Sequence, residues 1–108
     1  MVKTSLYYFP NDLFREKGIV ITVKDLEEIA RKNNTRITSK LDKIGSIGLL
    51  SRFLLTGIQP DILIITIEGE NEENVKSSIK DIYTKYGPYE VFRGPASSIA
   101  RKLKSELK

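Results

Sequence analysis

The sequence predicts an α+β sandwich in the order βαββαβ, with one further helix appended at the C-terminus. Three observations predict it. The run Asp61–Glu68 is the most apolar stretch of the chain, rich in β-branched residues and bounded by Pro60 and Gly69. Alternation puts Ile62, Ile64 and Thr66 on one face and Leu63, Ile65 and Ile67 on the other, as in a central strand covered twice. After it, Val75, Ile79, Ile82, Tyr83 and Tyr86 recur at helical spacing, and Gly87-Pro88 closes that helix. Lastly, Gly18, Asn33-Asn34, Gly45, Gly57 and Gly94-Pro95 divide the rest into strand- and helix-length pieces.

The elements follow in order. Leu6-Tyr7-Tyr8-Phe9 is strand-like, either an edge strand or a short arm, and Pro10-Asn11-Asp12 closes it. Asn11–Lys17 suits one or two helical turns ending at Gly18. Residues 18–23 are predicted as the first strand of the sandwich. Thr22 then caps a helix with Asp25 at its third position, and Leu26, Ile29 and Ala30 form its apolar stripe up to Asn33-Asn34. Ile37, Leu41 and Ile44 predict a second short helix after Thr35.

Residues 49–56 read as a strand hairpinned to the central run or as a helix capped by Gly57. Asn71 and the acidic residues Glu72 and Glu73 begin the long helix over 71–86. Tyr89–Arg93 is predicted as a strand which, after a helical crossover, runs parallel to the central one. Gly94-Pro95 opens the last helix, striped by Ala96, Ile99, Ala100, Leu103 and Leu107.

This order is the ferredoxin-like plan. Two alternatives share the same pieces. With 49–56 helical the chain becomes a small three-layer α/β protein with parallel strands. With 23–33 and 35–44 as a helix-turn-helix, residues 12–67 become a winged helix.

The 108 residues form one domain, 1–108, 40% hydrophobic and 30% charged, a globular composition. No apolar run approaches the roughly 20 residues of a membrane span, and no leader or lipidation pattern is visible, so the expected address is cytoplasmic. The chain has no Cys, His or Trp. Disulfides, thiol or imidazole catalysis and zinc or haem ligation therefore lack their usual residues, and no cofactor is expected. Abundant Ile, Lys and Glu without Cys resembles thermophile composition.

Net charge is +4 and the pI about 9.3. The cations gather in two segments, Arg31, Lys32, Arg36, Lys40 and Lys43, and Arg101, Lys102 and Lys104, which suit either contact with nucleic acid or another polyanion or a plain solvated surface. Between them Glu68, Glu70, Glu72 and Glu73 form an acidic cluster after the central strand. It is the carboxylate set that a Mg²⁺-dependent enzyme would use, and an acidic helix start explains it as well.

The run Leu54-Leu55-Thr56-Gly57…Asp61-Ile62-Leu63-Ile64 resembles the Thr-Gly-x-x-Asp hairpin of the effector (RAM) domain of the Lrp/AsnC family. That resemblance spans residues 45–93 and implies a βαββαβ module that oligomerises. Thr22-Val23-Lys24-Asp25-Leu26 and Leu41–Leu50 resemble winged-helix regulators, which implies DNA contacts from Arg36, Lys40 and Lys43. In the ferredoxin-like plan helices cover one sheet face only. The other, either Ile62 and Ile64 or Leu63, Ile65 and Ile67, then needs the appended helix or a second subunit. The function expected from the residues is a non-enzymatic, self-associating binding or regulatory module with basic patches. A winged-helix DNA-binding regulator is the alternative.

Overall fold

Three strands, β1 (Val2–Tyr8), β2 (Thr35–Lys43) and β3 (Asp61–Gly69), form an antiparallel sheet in the order β1-β3-β2. The computed structural model describes residues 1–43, 61–92, 94 and 97–107. Among these are four helices, α1 (Pro10–Lys17), α2 (Val23–Lys32), α3 (Glu72–Tyr86) and α4 (Ser98–Glu106). The chain is thus a small mixed α/β domain, and none of its described helices is long and apolar enough to cross a membrane.

The central run is the middle strand. Leu6 and Ser39 both sit opposite Ile65, and Thr4 and Ile37 both sit opposite Ile67. Ile65 and Ile67 are fully buried and pack with Leu6, Tyr8, Leu26, Ile29, Val75, Ile79, Ile82 and Leu103. That side of the sheet carries α2, α3 and α4. Removal of these side chains from water, worth about 1.5–3 kcal/mol for each large one, holds the two layers together.

The helix ends follow local chemistry. Thr22 accepts the Asp25 N–H at 3.2 Å and Asn71 accepts the Asn74 N–H at 2.9 Å, each satisfying a donor that a helix start leaves orphaned. Gly18 stops α1 in the left-handed region at φ 68°. Asn34, at φ 55°, makes the tight turn from α2 into β2.

Polar bonds lock α4 down. The Ala100 N–H donates to Thr4 Oγ1 at 3.2 Å, and the Tyr89 hydroxyl donates to the Ala100 carbonyl at 2.7 Å. At the other end of the sheet, the Thr35 and Ser78 hydroxyls bond at 2.7 Å. No buried side-chain polar atom of the described residues lacks a partner.

Several expectations are corrected. Residues 18–22 form no strand. Ile19 and Ile21 lean on the core and Val20 points out, but Gly18 and Thr22 terminate two helices and leave the segment too short to join the sheet. The first strand is instead Val2–Tyr8. The helix expected after Thr35 is β2, so 23–33 and 35–44 are not a helix-turn-helix and no recognition helix carries Arg36, Lys40 and Lys43. Residues four apart share a face in a strand as well as in a helix, so Ile37 and Leu41 fit both. The β-branched Thr35, Ile37 and Thr38 favour the strand.

Of the strand expected over 89–93, the described residues 89–92 show a single antiparallel bridge, between Tyr7 and Glu90. All strand pairs of the described residues are antiparallel, against the parallel three-layer alternative. The 49–56 segment lies outside the described residues, as does the Thr56-Gly57 turn.

Candidate functional site

The β2 side of the sheet is the least covered part of the described molecule. β2 is nine residues long and pairs through one edge only with β3; no described strand pairs with its outer edge. An outer edge of this kind offers main-chain N–H and C=O groups to a partner strand, although the Lys43 N–H is already bonded to the Asp42 carboxylate at 2.8 Å. Its side chains alternate. Thr35, Ile37, Ser39, Leu41 and Lys43 share the helix-side face, and Arg36, Thr38, Lys40 and Asp42 share the opposite one.

On the helix side, α2 covers the start of β2 and leaves its end open. A groove of about 360 Å³ lies there, lined by Leu13 and Phe14 of α1, Ile19 and Val20 of the connection, and Leu41 and Leu63 of the sheet. Phe14 is 62% exposed, Leu41 61% and Val20 58%. Three large apolar side chains around one groove form a patch rather than isolated surface residues. Asp61 at its rim pairs with Lys43 and accepts a weak 3.5 Å bond from Asn11. The Lys43 bond holds the Asp61 carboxyl below its ordinary range.

The opposite face carries none of the described helices. Its rows are Tyr7, Ile64 and Lys40, then Ser5, Thr66 and Thr38, then Lys3, Glu68 and Arg36. Phe92 packs on Tyr7 with ring centroids 4.6 Å apart, and the Ser5 and Thr66 hydroxyls bond at 3.2 Å. Ile64 is half-buried and Ile62 is fully buried. The apolar residues considered as an oligomer face therefore divide. Ile65 and Ile67 are buried beneath the helices, Leu63 borders the groove, and Ile62 and Ile64 lie on the helix-free side.

The basic candidates are not brought together. Arg31 and Lys32 end α2, Arg36, Lys40 and Lys43 lie along β2, and Arg101, Lys102 and Lys104 lie on α4. Most are engaged within the chain. Lys32 is 3.4 Å from Asp81, Lys40 3.6 Å from Asp42, and Lys104 3.4 Å from Glu90. The Arg101 guanidinium donates to the Phe92 carbonyl at 3.0 Å.

The acidic cluster disperses as well. Glu68 lies between Lys3 and Arg36 on the sheet, while Glu72 and Glu73 open α3, with Glu72 3.8 Å from Lys76. Among the described residues no group of three or more carboxylates is close enough to hold a metal ion.

The sequence gives no sign that Phe14 and Val20 meet at one surface, and its spacing puts Leu41 in the apolar stripe of a helix instead. One signal of exposure was present: adjacent Leu13 and Phe14 cannot both face inward from a two-turn helix, because successive residues are about 100° apart. No protein-family model, curated protein or solved structure matches the chain.

Proposed function

We propose that the protein is a non-enzymatic protein-interaction module, ferredoxin-like in plan, that works by self-association. Two features support the plan. β3 lies between β1 and β2 and runs antiparallel to both, which is the split β-α-β arrangement. The Tyr7–Glu90 bridge sits on the edge of β1 away from β3, where a fourth strand would pair.

The observation that carries the functional reading is the coincidence of a strand edge that no described strand covers with an apolar groove. The edge supplies main-chain bonds and the groove of Phe14, Val20 and Leu41 supplies buried area, the two components of strand-addition interfaces. The dispersed and internally paired cations argue against a dedicated polyanion site.

Sedimentation equilibrium of the full chain tests the reading. A dimer at micromolar concentration that Leu41→Ser weakens is expected, whereas a monomer at every concentration up to about 100 μM contradicts it. An electrophoretic shift series separates it from DNA binding. Weak, sequence-independent binding that salt abolishes is expected, and nanomolar sequence-dependent binding would favour the regulator reading.

A further inference from the structure

The geometry points to a definite partner and register: β2 pairs antiparallel with β2 of a second copy, about a two-fold axis through Ser39, so that the described β1-β3-β2 sheets of the two copies become continuous. This rests on the self-association reading above and specifies its interface.

An antiparallel strand paired with its own copy obeys a parity rule. Alternate residues of β2 direct their N–H and C=O toward β3, and those between direct them outward. Outward-directed residues must face outward-directed residues, so the register can shift only by steps that leave the two-fold axis on a residue. Over the nine residues Thr35–Lys43, the three registers centred on Thr38, Ser39 and Lys40 pair the most residues.

Centred on Thr38, Arg36 falls opposite Lys40 of the second copy, twice by symmetry. Centred on Lys40, the two lysines face each other. Both set like charges directly across from one another, which destabilises a sheet. Centred on Ser39, Arg36 falls opposite Asp42 of the second copy on the helix-free face. Ile37 falls opposite Leu41 on the helix side, Thr38 opposite Lys40, and Thr35 opposite Lys43. Every cation then faces either a carboxylate or a neutral side chain, and the whole strand is used.

The burial pattern agrees with this register. Asp42 already sits at the rim of the helix-free face, 3.6 Å from Lys40, and the register brings Arg36 of the second copy beside it. Leu41, 61% exposed, gains Ile37 of the second copy as a cross-strand neighbour, and the same contact occurs again across the axis. The interface is isologous and therefore closes as a dimer rather than growing into a fibre. It also covers an edge along which no described strand pairs, the kind of edge that natural sheets cover or blunt.

The test uses the full chain and two independent readouts. Ser39→Cys puts two thiols opposite each other at the axis, within the Cα spacing a disulfide spans. The variant should run as a covalent dimer under mild oxidation and as a monomer after reduction. Separately, Arg36→Asp and Asp42→Arg should each raise the dimer dissociation constant about tenfold, and the double exchange should restore most of it. A dimer that neither cross-links through Ser39→Cys nor recovers in the double exchange overturns the register and leaves self-association standing. A monomeric parent protein overturns both.

Discussion

The Tyr89 hydroxyl donates to the carbonyl of Ala100 at 2.7 Å, inside the protein, while the N–H of the same residue is bonded to Thr4 at 3.2 Å. One residue of α4 is thereby held from both sides, by the segment following α3 and by the first strand. Tyr89→Phe leaves a buried carbonyl without this partner and should cost about 1–3 kcal/mol. Urea denaturation monitored by circular dichroism measures it. A change under about 0.5 kcal/mol, the usual range for surface substitutions, would show that the bond does not anchor α4.

Gly69 closes β3 where three elements meet. A Cβ there would lie 3.1 Å from Val75 Cγ2 and 3.2 Å from Thr35 Cγ2. Gly69→Ala should destabilise by about 1–3 kcal/mol through overpacking. Adding Thr35→Ser removes one obstruction yet keeps the hydroxyl that meets Ser78, so it should recover part of the loss. Strictly additive losses in the double variant would rule out the steric cause.

Three tyrosines link stability to alkaline pH. Burial is the main reason that Tyr86 and Tyr89 are each pushed up to about 12, and it raises Tyr8 as well. The Asp25 carboxylate, which accepts the Tyr86 hydroxyl at 3.2 Å, raises Tyr86 further. In the unfolded chain these phenols ionise near 10, so above that pH the unfolded state binds fewer protons than the folded one. Stability should therefore be complete below pH 10 and fall as pH rises from about 10 toward 12. Denaturant midpoints measured across that window check the sign; a midpoint that stays flat would contradict it.

The two N-caps offer a local comparison. Thr22→Ala and Asn71→Ala each remove an acceptor from a helix start, at 3.2 Å from Asp25 N and 2.9 Å from Asn74 N. Each should cost about 0.5–2 kcal/mol. Replacement by Ser should cost much less, since Ser caps comparably. Equal losses for Ala and Ser would mean that something other than capping is at work.

Much of this architecture was legible in the residues, for reasons that differ by element. The central position of β3 follows from a run that is apolar on both faces. α2 and α3 follow from Thr22 and Asn71 at one end, Asn33 and Gly87 at the other, and stripes that include three-residue steps within the element, which no strand can mimic. β2 was misread because the four-residue step from Ile37 to Leu41 fits either geometry, and only pairing with β3 decides between them. Residues 18–22 carry strand-like chemistry, yet two helix termini claim their ends. The candidate interaction surface was illegible because it arises where α1, a connection and the end of β2 converge, and residues far apart in sequence meet there. The placement of the cations was unreadable for a related reason. Lys32 finds Asp81, and Lys104 finds Glu90, only after the helices have packed.

The most direct test of the account is amide hydrogen exchange along β2 as a function of protein concentration. In an isolated copy, alternate amides of Thr35–Lys43 point outward and should exchange quickly, while those bonded to β3 are protected. The account predicts that the outward set becomes protected as concentration rises, with Ser39 at the centre of the protected stretch. Fast exchange of that set at every concentration would contradict it.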